Sequence, residues 1–281
     1  MRVRRHLPVI VVALTLPFLM GQACPFLQPP PPSQTELTPE EQTAIEAALQ
    51  ATAALSQAAG ITQLPANPNI DPEEEPPVTT EGTCPVITTE ASAAAEGRSR
   101  NVTINFGAAA CPAAPFPGLS CSGSATGTLN RFAATLSLTF NNLSCASQTL
   151  NGQVQAAYEF APAGANLNGT FNLTWTSDGQ DIAITGQGGL LGFDRATNAT
   201  TLGVFNASVS ASDAAYTVGF TNVVLAYQNN PDLLPSSGVI TITGPTIRQL
   251  TIRFNENSPT TGEAEVRIAG GPFFTVNLLA L

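Results

Sequence analysis

Six carboxylates, Glu159, Asp178, Asp181, Asp194, Glu263 and Glu265, are the residues of this 281-residue chain best suited to acid–base chemistry. Two of them flanking a glycosidic bond would act as acid and base, or as acid and nucleophile, according to their separation. The sequence singles out no pair, and solvated acids on turns and strand faces are the plainer reading. "SDGQD", with Asp178 and Asp181, and "FDRATN", with Asp194 and Asn198, carry oxygen ligands suited to calcium. Neither has the EF-hand spacing, and turns favour Asp, Asn and Gly in any case. No metal and no cofactor is therefore expected.

Other routes to catalysis lack their residues. The chain has no lysine, which removes Schiff-base and Ser-Lys mechanisms, and its one histidine is His6, in a segment expected to be cleaved off. Without histidine there is no Ser-His-Asp triad, no Cys-His pair and no histidine-held metal. No phosphate-binding loop or dinucleotide fingerprint is present. Trp175, at alternate positions with Phe171 and Leu173, reads as a core residue before a sugar platform. The expectation is a protein without catalytic residues, one that binds or structures; the competing readings are a carboxylate-only glycan hydrolase and a carrier of an apolar ligand.

Charge and the N-terminus bound where such a protein works. Residues 1–23 hold Arg2, Arg4 and Arg5, an apolar run from Leu7 to Met20, and Gly21-Gln22-Ala23 before Cys24. A basic start, a short apolar run and small residues before the cut predict a secretory signal peptide. Its loss takes three arginines and no acid from a chain of formal charge −10, leaving 7 basic against 20 acidic residues. Such a surface repels nucleic acid and anionic lipid. The cut before Cys24 resembles bacterial lipoprotein processing, in which the cysteine is acylated and becomes the first mature residue. The cysteine count agrees, since lipidating Cys24 leaves Cys84, Cys111, Cys121 and Cys145, enough for two disulfides. An ordinary secreted or periplasmic protein, with Cys24 free or paired elsewhere, is the alternative.

Residues 24–83 read as a tether. Pro29 to Pro32 should be extended, and Glu73 to Glu75 lie among prolines in a stretch too polar for a core. Between these segments one helix is predicted over 39–59. Thr38 is its N-cap, Pro39 its first residue and Glu41 the partner of a capping box, with Gly60 as the stop. Ile45, Ala48, Leu49, Thr52 and Leu55 give it a narrow, weakly apolar stripe to rest on a neighbour.

Residues 84–281 read as an antiparallel β domain. In "ATLSLTFNNLSCASQTLNGQVQAAYEF", Leu136, Leu138 and Phe140 alternate with Thr and Ser, and Val154, Ala156, Tyr158 and Phe160 alternate after the turn. A period of two over that length is a half-buried hairpin. "AAYTVGFTNVVLAYQNNPDLLPSSGVITI" is a looser copy. Thirteen strands are predicted, at 86–89, 101–106, 122–130, 135–141, 153–160, 169–176, 181–187, 201–210, 216–227, 238–243, 247–254, 264–268 and 273–279. No helix-period segment intervenes, so the fold class is all-β, an antiparallel meander closed into a sandwich or partly open barrel. A membrane-spanning barrel is disfavoured, because three tyrosines and one tryptophan are too few for aromatic girdles.

Antiparallel register also suggests how the cysteines pair. Cys84 and Cys111 face each other about a turn centred between Gly97 and Arg98, in "AEGRS", and Cys121 and Cys145 about Ala133, in "NRFAA". Cys84–Cys111 and Cys121–Cys145 are favoured, with the nested Cys111–Cys121 pairing still open.

"NVTINFGAAAC", with Cys84 upstream and "SGSATGTL" downstream, resembles uncharacterised bacterial cell-envelope lipoproteins. In these, a first cysteine strand, a T-I-D-F-G strand ending near a cysteine and an S-G-x-x-x-G strand run in order. Their F-x-N turn and downstream glycine are similar to Phe140-Asn141-Asn142 and Leu150-Asn151-Gly152. The similarity covers residues 84–160, and Asn105 stands where the pattern has Asp. The similarity fits the lipid-anchored envelope protein that the N-terminus predicts, at the outer membrane or cell surface; the expected partners are the membrane and an envelope protein or glycan, and the acidic balance argues against nucleic acid. The resemblance implies no particular activity.

Overall fold

Alternating apolar and polar residues become strands throughout. The computed structural model describes residues 36–62, 64, 78–79, 84–91, 99–112, 120–130, 132–145, 148–161, 164–188, 191–194, 197, 199–227, 230 and 233–281; at 78–79, 108–112, 159–161, 164–166, 191 and 193 it describes the backbone alone. The signal peptide, Cys24, the proline run and the acidic stretch lie outside the described residues. Thr35–Leu281 form one compact unit.

The first element among the described residues is helix α1, Pro39–Thr62, and a first group of strands follows: β1 Val78–Thr79, β2 Val86–Ala91, β3 Ser99–Pro112, β4 Ser120–Asn130 and β5 Thr135–Cys145. Next come β6 Gln148–Ala161, β7 Gly164–Ser177, β8 Gln180–Gln187, β9 Leu191–Asp194, β10 Ala199–Leu202 and β11 Phe205–Ala211. The last group is β12 Ala214–Ala226, β13 Ser237–Thr243, β14 Leu250–Phe254, the one-turn helix α2 Ser258–Thr261, β15 Glu263–Ile268 and β16 Phe273–Asn277. All sixteen strands belong to one antiparallel sheet. Each of the thirteen expected strands is present, and β1 and β9 are additional.

Two of the extra divisions are breaks in longer strands. β7 pairs with β8 through Thr170–Ser177 and with β9 through Gly164–Leu167, on the same edge. β12 likewise pairs with β11 and then β10 in one unbroken register. Thus β8 and β9 continue one line, β10 and β11 another, and the sheet is an open fourteen-strand meander. The interruptions lie beside each other, at Gly188 on one line and Gly203–Val204 on the other.

Helix α1 starts as its residues predict. The Thr38 N–H donates to Glu41 Oε2 at 3.0 Å, and the Glu41 N–H donates to Thr38 Oγ1 at 3.2 Å, a complete capping box. It runs past Gly60 to Thr62 and is far more than an appendage. Every residue from Ala51 to Thr62 is buried, and β6 through β13 all contact the helix. A helix buried on all sides by strands of one sheet requires the sheet to wrap round it. Eight alanines between Ala44 and Ala59 are buried in this helix, and their small side chains let strands approach its backbone. Instead of serving as part of a spacer, α1 is a core element.

Polar contacts tie the helix at both ends. Glu41 is 1% exposed and accepts from Arg248 Nε at 2.7 Å and Nη2 at 2.8 Å. Burial opposes ionisation of Glu41, but the Arg248 guanidinium and the Thr38 N–H outweigh it and hold the pKa below the usual carboxylate value. Arg248 sits in the connection before β14, which starts at Leu250 where Ile247 was expected. Toward the other end, the Thr200 hydroxyl lies 3.3 Å from the Ser56 carbonyl and 3.0 Å from the Tyr227 hydroxyl. Burial pushes the Tyr227 phenol well above its ordinary pKa.

The two hairpins noted in the sequence both form; in the first, Phe140 faces Gly152, Leu138 faces Val154 and Leu136 faces Ala156. In the second, Phe220 faces Ile240, so Gly238 lies opposite the bulge and not opposite Phe220. Both bulges place an asparagine in left-handed backbone, Asn142 at φ 47° and Asn222 at φ 49°. A glycine on a neighbouring strand accommodates each, Gly123 against the Asn142 carbonyl and Gly238 against that of Asn222.

Cys121 and Cys145 are direct register partners on β4 and β5 and form a disulfide, with their Cα atoms 4.2 Å apart. Cys84 is also disulfide-bonded. The Cys111 side chain lies outside the described residues; its backbone pairs with Cys121 across β3 and β4. The β2–β3 register centres that hairpin between Ala95 and Glu96, two residues before the expected Gly97–Arg98 turn, and β3 takes up extra residues in an irregularity between Gly107 and Cys111. Two short helices also went unforeseen. α2 is closed by Gly262 in left-handed backbone, and a 3-10 turn at Leu278–Ala280 ends β16 at Asn277, whose Oδ1 accepts from the Leu279 N–H.

Candidate functional site

The outward side chains of the sheet come almost entirely from Thr, Ser, Asn and Gln, and register lines them up in rows. One row crosses ten strands, from β2 to β13: Thr88, Thr103, Thr126, Thr139, Gln153, Asn172, Thr185, Ser208, Thr217 and Thr243. A second holds Asn101, Thr128, Ser137, Gln155, Thr170 and Gln187 on β3 to β8. The first row contains no charged or aromatic residue; the second contains none from β3 to β8 and meets the exposed Glu90 on β2, the register partner of Asn101. At the usual strand spacing a hydroxyl or amide recurs about every 4.8 Å across the sheet.

Few of these groups are engaged with each other. Asn141 Nδ2 donates to Thr126 Oγ1 at 3.4 Å, and Gln153 Nε2 donates to Ser137 Oγ at 3.2 Å. Thr128, Gln155, Thr170 and Gln187 make no side-chain hydrogen bond among the described residues and stay available to solvent or ligand. Around this second row the surface is concave, an open groove of about 760 Å³ running from Thr128 and Thr135 across Gln155 and Thr170 to Gln187 and Gly188. Two exposed apolar side chains lie outside its lining but are near it in chain or register. Phe132, 83% exposed, is in the β4–β5 turn just before Thr135, and Val204, 71% exposed, is in the break between β10 and β11 beside the Gly188 end.

Charges gather elsewhere on the sheet. Arg253 and Glu265 pair at 3.2 Å on β14 and β15, and Arg253 and Arg267 both lie over the Phe273 ring, at 4.2 and 4.9 Å. A smaller groove of about 390 Å³ lies between Glu36, Leu37 and Gln42 and the β16 residues Phe274 to Val276.

The six acids are dispersed. Asp178 is in the β7–β8 turn, and Asp181 follows it, accepting from Thr176 Oγ1 at 2.6 Å. Asp194 is at the opposite end of the β8–β9 line, and Glu263 and Glu265 are on β15, with Glu265 engaged by Arg253. The Glu159 side chain lies outside the described residues, as does Asn198. Neither groove is lined by two carboxylates, and among the described residues no three His, Cys, Asp or Glu are gathered as a metal site would require. Trp175 is fully buried, as expected, and its Nε1 has no hydrogen-bond partner among the described residues.

Among the described residues no helix is long and apolar enough to cross a membrane. Sequence reasoning found the strands that carry the polar rows but missed the rows themselves. Their signal was present in the outward Thr, Gln and Asn of each strand; only register shows that those residues align. The chain matches no protein-family model, no curated protein and no solved structure.

Proposed function

We propose that this chain is exported, cut before Cys24 and lipid-anchored through that cysteine in the bacterial envelope, where its β domain binds or organises a partner without catalysing a reaction. The observation that carries the binding role is the ten-strand row of uncharged hydrogen-bonding groups on the outer face, with a groove beside it whose lining holds no charged residue. An exported β domain in water exposes a polar face as a matter of course, but an uncharged groove on a face that carries Glu90 and Asp181 elsewhere is a surface suited to specific contact. The basic, apolar and small-residue order of residues 1–23 supports export, and the odd cysteine count supports acylation of Cys24. The lipoprotein-like pattern around "NVTINF" and "SGSATG" falls on β3 and β4, next to the β2 strand that follows Cys84.

Intact mass of the full chain recovered from bacterial membranes tests the anchor. The expected mass is that of residues 24–281 plus acyl chains, and Cys24→Ser should release the protein from the membrane fraction. An unacylated mature mass overturns the anchoring. Release of soluble fragments from any glycan by the purified chain overturns the non-catalytic role.

A further inference from the structure

From the groove on the outer face we infer that the partner is a neutral polysaccharide strand, held across β4 to β8 by Thr128, Ser137, Gln155, Thr170 and Gln187. This rests on the binding role proposed above and names its ligand class. The argument is one of charge and of matching chemistry. After signal removal the chain carries 7 basic and 20 acidic residues, so a polyanion is repelled by the molecule as a whole. A polycation finds no acid in the lining of the groove with which to pair. A second copy of the chain carries the same excess of acid and is repelled too. A lipid or other apolar ligand finds no enclosure: the groove is open to solvent, and hydroxyls and amides interrupt its apolar lining of Leu136, Ala156 and Ala157.

An uncharged polyhydroxyl chain meets none of these objections. Its hydroxyls both donate and accept, as do the Thr and Ser hydroxyls and the Gln amides, so either direction of each hydrogen bond can be met. The groove row crosses five strands, four spacings, and spans about 19 Å, long enough for several sugar units in an extended chain. Sugar rings also present C–H faces, and exposed Phe132 and Val204, near the groove in chain or register, supply apolar surface against which such faces can rest. The groove is open along its length, which suits an internal stretch of a polymer better than a small molecule enclosed on all sides.

The test uses the full mature chain in detergent, titrated calorimetrically with linear neutral hexasaccharides of the glucan, mannan and chitin types, with polygalacturonate as the anionic control. At least one neutral hexasaccharide should bind with a submillimolar Kd, and polygalacturonate should not. Gln155→Ala combined with Thr170→Ala should weaken that binding at least tenfold, and Phe132→Ala several-fold, with thermal unfolding unchanged because all three sites are exposed. Thr275→Ala, on β16, should leave binding as it was. Absence of binding by every neutral probe at millimolar concentration overturns the inference, as do tighter binding of the anion or unchanged affinity in the Gln155/Thr170 variant. Self-association abolished by that variant overturns it in favour of a chain–chain interface. None of these results bears on acylation of Cys24, and cleavage of a bound hexasaccharide would overturn the non-catalytic role while leaving the ligand class standing.

Discussion

Replacing Glu41 with alanine should destabilise the domain by about 2–3 kcal/mol. The substitution removes three things at once: the carboxylate that accepts from the Thr38 N–H, the two hydrogen bonds from Arg248, and a negative charge in the first turn of α1. Loss of a cap costs about 1 kcal/mol. The charge-assisted pair adds about 1–2 kcal/mol, below the 3–5 kcal/mol of a fully buried pair, because Arg248 is 41% exposed and regains water when its partner goes. Urea unfolding read by circular dichroism should show a lower midpoint at unchanged slope. Acid titration adds a second readout. The folded pKa of Glu41 lies below its unfolded value, so its contribution is complete above the ordinary carboxylate pKa and is lost as pH falls through the depressed folded one. Glu41→Gln should remove that part of the acid dependence while the helix still forms. A change under about 0.5 kcal/mol, together with an unaltered acid profile, would refute the reasoning that this pair clamps α1 to the β13–β14 connection.

Three further perturbations probe other parts of the fold. Cys121→Ser with Cys145→Ser should cost about 3–4 kcal/mol on the loop-entropy model for a separation of 24 residues, measured by denaturant unfolding. Gln57→Leu should leave stability unchanged or raise it by about 1–2 kcal/mol, since both amide atoms of Gln57 are buried and unpaired among the described residues, and a lowered melting temperature would show a hidden partner. Asn142→Gly should be nearly neutral, whereas Asn142→Val should lose about 1–3 kcal/mol by forcing a β-branched residue into left-handed backbone, both read from thermal unfolding.

Strand positions were readable because inward apolar residues alternate with outward polar ones, as in Leu136, Leu138 and Phe140, all buried in the structure. The capping box of α1 was readable for a similar reason: Thr38, Pro39 and Glu41 act on each other within one turn. The place of α1 was not. Its second half is buried on every side, including Ser56 and Gln57 off the narrow stripe; polar residues and weakly hydrophobic alanines on those other sides disguised a core helix as a marginal one. β9 escaped notice because its four residues, Leu191–Asp194, follow a glycine-rich stretch and carry no run of alternation, and only the shared edge on β7 joins β9 to β8. The polar rows depend on residues 9 to 27 positions apart being in register, for example Thr128 with Ser137 and Asn101 with Thr128. Bulges at Asn142 and beyond Gly107 move that register by amounts that no local pattern announces.

Hydrogen exchange of the α1 backbone amides is the most direct measurement of the architecture on which the outer face depends, a single sheet wrapped round a buried helix. Amides from Ala51 to Thr62 should exchange only through global unfolding, as slowly as those of β7 and β12. Exchange of that stretch at rates typical of an exposed helix, while the strands stay protected, would place α1 outside the sheet and contradict the account.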